Sequence, residues 1–230
     1  MCGITGVYCL NRKNSINPDI LKSMSKVIEH RGPDDYGYYF DENYRIGFGH
    51  RRLSIIDLDN GKQPMANISE TIWITYNGEI YNFKELRKEL LLKGYQFKTK
   101  SDTEVIIYLY EEYGIKAFKR LNGIFSFAVY DKRKNLLVLA RDQFGVKPLY
   151  YYYDNNYLIF GSEIKSILAN PNYKKKFDYN SFNSFLTFRY NPSPQTLFAG
   201  IHKLIPGNFL TASINGEINI NSYLDYRPSL

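Results

Sequence analysis

The chain has 230 residues, of which 44% are hydrophobic and 17% aromatic, and it carries a formal net charge of +7. That length can bury a full core within one domain spanning 1–230, and two cysteines cannot form a disulfide framework, which fits a reducing cytoplasm. The charge does not signify nucleic acid. There is no basic helix face or finger spacing, and the run Lys174, Lys175 and Lys176 after Pro171 and Asn172 reads as a solvated loop. No signal-peptide pattern or membrane span is expected, and His30, His50 and His202 lack partners at metal-ligand spacing.

Residues 2–10 are apolar and partly β-branched, which predicts a buried strand with Cys2 and Cys9 on opposite faces. Asn17-Pro18 opens a helix with Ile20, Leu21, Met24, Val27 and Ile28 on one side, and Arg31-Gly32-Pro33 ends it. A hairpin is expected from 38–40 and 46–48, then a short strand at 53–56. The strand at 71–76 is expected to stop at the turn signal Asn77-Gly78, ahead of a helix carrying Leu86, Leu90 and Leu91 and capped by Gly94. Ser101-Asp102-Thr103-Glu104 has the pattern of an N-cap and capping box, and puts Asp102 at a helix start.

Strands at 125–130 and 136–140 flank a charged turn, and a second hairpin turns at Asp154-Asn155-Asn156. The carboxyl third holds short helices near 162–169 and 179–187, an irregular Pro-rich stretch and a last hairpin at Asn215-Gly216. Strands fall in adjacent pairs with helices between the groups. That order argues against a doubly wound parallel sheet and for an α+β fold of two mostly antiparallel sheets with helices outside.

Removal of Met1 leaves Cys2 with a thiol and a free α-amine on one residue. An α-amine, which titrates near pH 8 in unperturbed peptides, can take the proton of a thiol without a histidine. Taken alone, a cysteine here reads first as a small hydrophobe opening a strand. Splitting an amide also needs oxyanion donors and a grip on the substrate. Asn77-Gly78 offers a carboxamide and an unobstructed backbone N–H, Arg52 can fork onto a carboxylate, and Glu79 with Asp102 can receive an ammonium.

Read together, the residues resemble the class II glutamine amidotransferases, most nearly the glutaminase domain of glutamine-dependent asparagine synthetases. The similarity runs through Met-Cys-Gly-Ile at 1–4, His-Arg-Gly-Pro-Asp-Asp at 30–35 and Arg-Leu-Ser-Ile-Ile-Asp at 52–57. It continues in Gln-Pro-Met at 63–65, Tyr-Asn-Gly-Glu-Ile-Tyr-Asn at 76–82, Ser-Asp-Thr-Glu at 101–104 and the Arg-Asp-Gln-Phe-Gly-Val-Lys-Pro segment from 141. Leu-Thr-Phe-Arg-Tyr at 186–190 and Pro-Gly-Asn at 206–208 extend it almost to the end.

The resemblance implies an N-terminal-nucleophile hydrolase, a four-layer αββα sandwich with Cys2 at the edge of a central strand. By the same similarity Cys2 attacks the glutamine amide and forms a glutamyl thioester. Asn77 and the Gly78 amide stabilise the oxyanion, and Arg52 binds the α-carboxylate. Glu79 and Asp102 bind the α-ammonium, while Leu53, Ser54, Ile55 and Ile56 give backbone contacts. Arg52 matches the motif where Arg51 does not. Arg31 is expected to brace the nucleophile, and Arg141, Asp142 and Lys147 to form a packing and ion-pair motif.

The implied partners are L-glutamine and a synthetase domain or subunit that accepts ammonia; a homo-oligomer is also open. The Ser-Gly-Gly-x-Asp-Ser loop of the synthetase half is absent, so no cofactor is expected in this chain, ATP and Mg belonging to that other domain. Tyr223-Leu224 also departs from the Tyr-Trp of many relatives, and Leu230 falls near the expected domain junction, as in a truncation, a separate subunit or a stand-alone glutaminase. Two alternatives remain at this stage: an idle regulatory or interaction domain of the same fold, and the glutaminase module of another aminotransfer system.

Overall fold

A computed structural model describes residues 1–53 and 61–224. The strands are β1 (Gly3–Cys9), β2 (Asp35–Phe40), β3 (Ile46–Arg52), β4 (Met65–Ala66), β5 (Ile72–Ile80), β6 (Gly123–Asp131) and β7 (Leu136–Arg141). They continue with β8 (Tyr150–Tyr153), β9 (Tyr157–Gly161), β10 (His202–Lys203), β11 (Asn208–Ser213) and β12 (Ile218–Ser222). The helices are α1 (Pro18–Lys26), α2 (Phe83–Leu92), α3 (Asp102–Tyr113), α4 (Ile164–Leu168) and α5 (Tyr179–Phe188).

The strands form two antiparallel sheets, ordered β10-β8-β9-β1-β3-β2 and β12-β11-β7-β6-β5-β4. Alternation along each strand decides which layer a side chain joins. From β1, Ile4 and Tyr8 enter the space between the sheets with Phe48, Leu139, Phe160 and Leu210, whereas Val7 and Cys9 face outward onto Leu21, Met24 and Ile167. From β5, Ile72, Ile74 and Tyr76 face the other way, onto Leu86 and Leu90 of α2 and Val105, Ile106 and Leu109 of α3. The layers are therefore helix, sheet, sheet, helix, the four-layer αββα sandwich of two antiparallel sheets that was expected. No described helix is long and apolar enough to cross a membrane.

Most element boundaries follow local chemistry. Asn17 caps α1 by accepting from Asp19 N–H, with Pro18 in the first turn. Gly94, at φ +93°, follows the end of α2 where a left-handed residue is needed.

Two expectations fail. The strand does not stop at Asn77-Gly78: β5 runs on to Ile80, paired with β6 along its whole length. A Cβ on Gly78 would lie 2.3 Å from the Ile124 carbonyl oxygen and 2.7 Å from Phe125 Cα, so this glycine serves close strand approach and not a turn. Ser101 does cap α3, accepting from Thr103 N–H at 3.2 Å, but Glu104 does not close the box. Its carboxylate instead takes the Lys98 and Thr99 N–H groups, both at 2.8 Å, and so fixes the loop that leads into α3. The strand expected at 53–56 lies outside the described residues beyond Leu53.

Candidate active site

Cys2 lies just ahead of β1, half-buried, with its sulfur 3.4 Å from Leu53 N and 3.7 Å from Leu53 O. The backbone behind it is tied down on both sides. Ile4 N–H donates to Ser162 Oγ at 3.0 Å, and Ser162 N–H donates to Ile4 O at 2.9 Å. Arg31 Nε donates to the Cys2 carbonyl at 3.0 Å while its Nη1 reaches Glu163 at 3.1 Å, which is the bracing expected of it. Burial pushes the Glu163 carboxyl up, but hydrogen bonds from Arg31, His30 and Lys165 outweigh it and hold the group below the usual range. The anchor thus stays ionised and keeps the arginine in place.

The sulfur opens into a cleft walled by Arg52, Leu53 and Gly61, by Gln63, by Tyr76, Gly78 and Glu79 of β5, and by Ser101, Asp102 and Thr103 at the start of α3. Strand alternation separates the two arginines. Arg51 turns to α1, donating through Nε to Ser25 O at 3.2 Å and through Nη1 to Glu29 at 3.3 Å. Arg52, 6% exposed, goes to the cleft.

Beyond β4, no other strand among the described residues covers the edge of β5, and side chains satisfy it. Tyr76 N–H donates to Gln63 Oε1 at 2.7 Å and Ile80 N–H donates to Asp102 Oδ2 at 3.0 Å. Because alternate N–H groups of a strand share a direction, Gly78 N–H points the same way, between those two, on the cleft edge. The Tyr76 hydroxyl also donates to Asp102 Oδ2, at 2.7 Å. Burial raises the Asp102 carboxyl above its ordinary value, against hydrogen bonds from Ile80 and Tyr76 that favour the anion. Glu79 is exposed, so the two acids differ: Asp102 sits in the wall and Glu79 is open to solvent.

Of the residues singled out in the sequence, Cys2, Arg52, Leu53, Gly78, Glu79 and Asp102 share this cleft. Asn77 does not line it. It is 1% exposed on the adjoining face of β5, and its Nδ2 has no partner among the described residues. Ser54, Ile55 and Ile56 lie outside the described residues. Gln63 and Tyr76 were not foreseen as cleft residues. Both stood within matched segments, but a glutamine before proline and a tyrosine in a strand carry no chemical label.

Residues 1–224 match the model of the glutamine amidotransferase domain. The chain is 43% identical to glutamine-hydrolysing asparagine synthetase 1 of Bacillus subtilis over 99% of its own length and 36% of that protein. It is 42% identical to putative glutamine-hydrolysing asparagine synthetase 2 of Methanocaldococcus jannaschii over 89% of its length and 42% of that protein. It therefore spans well under half of these relatives. Among solved structures, the glutamine phosphoribosylpyrophosphate amidotransferase of Bacillus subtilis superposes with a TM-score of 0.72 over 97% of this chain and 49% of that one. At 18% identity, that is a likeness of fold alone. With the family model matched over nearly the whole chain, the protein belongs to the glutamine amidotransferase domain family.

Proposed function

We propose that this domain hydrolyses the side-chain amide of L-glutamine through Cys2, giving glutamate and ammonia. The observation that carries the reading is one cleft holding a thiol, a buried arginine and a buried carboxylate, Cys2, Arg52 and Asp102. An arginine and an acid together complement the carboxylate and ammonium of an α-amino acid, and the thiol is left for an electrophile on its side chain. Arg52 binds the α-carboxylate and Asp102 the α-ammonium, with Glu79 adding negative charge at the exposed side. Leu53 contributes main-chain contacts.

The chemistry needs Met1 removed. The freed Cys2 amine then takes the thiol proton as sulfur bonds to the amide carbon. The resulting oxyanion is held by the Gly78 N–H and by the Asn77 carboxamide, which sits on the adjoining face of β5. Collapse of the adduct breaks the C–N bond, and the amine returns its proton to the leaving group, so ammonia departs and a glutamyl thioester remains. Water attacks the thioester, the amine again takes a proton, and expulsion of sulfur gives glutamate and the free thiol. No cofactor enters these steps.

Ammonia is the useful product only if something accepts it, and relatives about two to three times longer are named asparagine synthetases. We assign the acceptor to a synthetase domain or subunit of that kind. Helix α5 supports this, exposing Tyr179, Phe182, Phe185 and Leu186 three or four residues apart, an apolar face of the sort a partner domain covers.

The reading is tested by following glutamate release from glutamine by protein whose mass confirms loss of Met1. Turnover is expected in the processed protein and none in Cys2→Ala or in protein retaining Met1. Absence of turnover in the processed protein, or undiminished turnover in Cys2→Ala, overturns it.

A further inference from the structure

Among the described residues, six buried side-chain polar atoms lack a hydrogen-bond partner, and three of the six, His50 Nε2, Asn77 Nδ2 and Ser126 Oγ, belong to residues that the fold gathers beside Thr75. Leaving one such group unsatisfied costs about 1–3 kcal/mol, so three together in a dense core call for a common explanation. The register supplies it. Asn77 of β5 lies directly opposite Ser126 of β6, where cross-strand Cβ atoms are about 5 Å apart. Thr75 shares their face two residues back, and its Oγ1 lies 3.3 Å from His50 Nδ1 across the gap between the sheets.

That face looks toward the first sheet, since Trp73, two residues further back, stacks on Tyr39 of β2 at 3.9 Å between ring centroids. His50 is itself paired with Ile4, two residues from the nucleophile. Elsewhere this inter-sheet layer is apolar, with Ile46, Phe48, Ala128 and Tyr130 next along the same strands. Among the described residues, His50, Thr75, Asn77 and Ser126 thus bring polar side chains together between the sheets at the level behind Cys2.

We propose that His50, Thr75 and Ser126 form a positioning network around a buried water that holds the Asn77 carboxamide as an oxyanion donor, a role that rests on the glutaminase reading above. Buried waters make about three hydrogen bonds to polar groups without other partners, the number of unpaired atoms contributed here. Asn77 Nδ2 has two N–H donors, so the water can take one while the other faces the reacting carbonyl. His50 suits a fixed dipole. Burial, reinforced by the Arg52 guanidinium, lowers its pKa to about 3, so it stays neutral wherever the enzyme works and does not compete with Arg52 for the substrate carboxylate. Thr75, by engaging Nδ1, fixes which ring nitrogen faces the water. These residues act through Asn77 and do not touch substrate.

Ser126→Ala removes only a hydroxyl from a position whose neighbour is already Ala128, so it should fold. A group that aligns an oxyanion donor acts in the transition state. Glutaminase kcat should therefore fall about tenfold, the worth of one ordinary hydrogen bond, with KM for glutamine within about twofold. Thr75→Val should behave alike, while Thr75→Ser, which keeps the hydroxyl, should stay near wild type. An unchanged kcat in Ser126→Ala, or a parallel rise in KM, overturns the proposal.

A second measurement needs no activity and so separates this proposal from the glutaminase reading. In ¹⁵N-labelled protein, the Asn77 side-chain amide protons should show transfer from a long-lived internal water, and Ser126→Ala should abolish it. A dry Asn77 amide in the wild type overturns the network even if glutamine is hydrolysed. A wet one with no glutaminase activity overturns the positioning role and the glutaminase reading but leaves the water site.

Discussion

Two aspartates of this chain are almost equally hidden, Asp102 at 5% exposure and Asp142 at 0%, and they are used in opposite ways. Asp142, in the loop after β7, commits both oxygens to the main chain. Oδ1 accepts from Phe144 and Val146 N–H at 3.0 Å each, and Oδ2 from Phe125 at 3.2 Å and Lys147 at 3.0 Å. Beside it, Arg141 donates to the carbonyls of Lys147, Leu204 and Gly145 at 2.8, 2.7 and 2.6 Å. The ion-pair motif expected there is instead two charges turned to peptide groups, a staple that shapes the loop. Asp102 commits Oδ2 to Tyr76 and Ile80, while Oδ1 meets Ser101 Oγ only at 3.5 Å, beside the cleft. Burial alone thus does not mark a functional carboxylate. Hydrogen-bonding capacity left facing a cleft is what makes Asp102 the candidate.

The same substitution at both positions should give opposite results. Asp142→Asn turns an amide donor toward two N–H groups that now have an oxygen. Phe125 N–H and Lys147 N–H have no solvent to fall back on, so the loss should be about 2–4 kcal/mol, read from urea or thermal unfolding. Asp102→Asn keeps one carbonyl oxygen for Tyr76 and Ile80 and removes a charge whose burial is unfavourable. Its stability should stay within about 1 kcal/mol of wild type, but glutamine KM should rise roughly 100-fold through loss of the ammonium's charged partner. Equal destabilisation of the two variants, with KM unmoved in Asp102→Asn, would make Asp102 a second staple.

How far this contrast was legible in the sequence depends on what each inference used. Both aspartates stood in recognisable segments, and strand pairing with inserted helices led to the layer order because alternation and helical period are local signals. Arg52 was separated from Arg51 by motif and is separated in the fold by alternation. Asn77-Gly78 misled as a turn because a glycine admitted for close strand contact looks the same in one dimension as a glycine admitted for a left-handed bend. The roles of Gln63 and Tyr76 depend on β4 beginning only at Met65, two residues after Gln63, so that among the described residues no strand pairs β5 beside Tyr76, a tertiary fact. The Asn77–Ser126 pairing likewise joins residues far apart in the chain, through register alone.

The smallest effect is the most discriminating, because it has one sign in stability and the other in binding. Asp102 has its folded-state value raised above the ordinary 3.8 by burial. A carboxyl raised in this way contributes stability that is fully present below its unfolded value and lost as pH rises through the folded one. Between pH 3.8 and that higher value, wild type should therefore lose stability relative to Asp102→Asn, with the difference constant above it. Glutamine binding runs the other way, since the ammonium needs the anion: 1/KM should fall on acidification, starting above the pH of an unperturbed aspartate. Parallel Tm titrations of the two proteins, set beside the pH profile of KM, check both. A matched pair of opposite trends assigned to Asp102 would distinguish a binding carboxylate from a structural staple by charge alone.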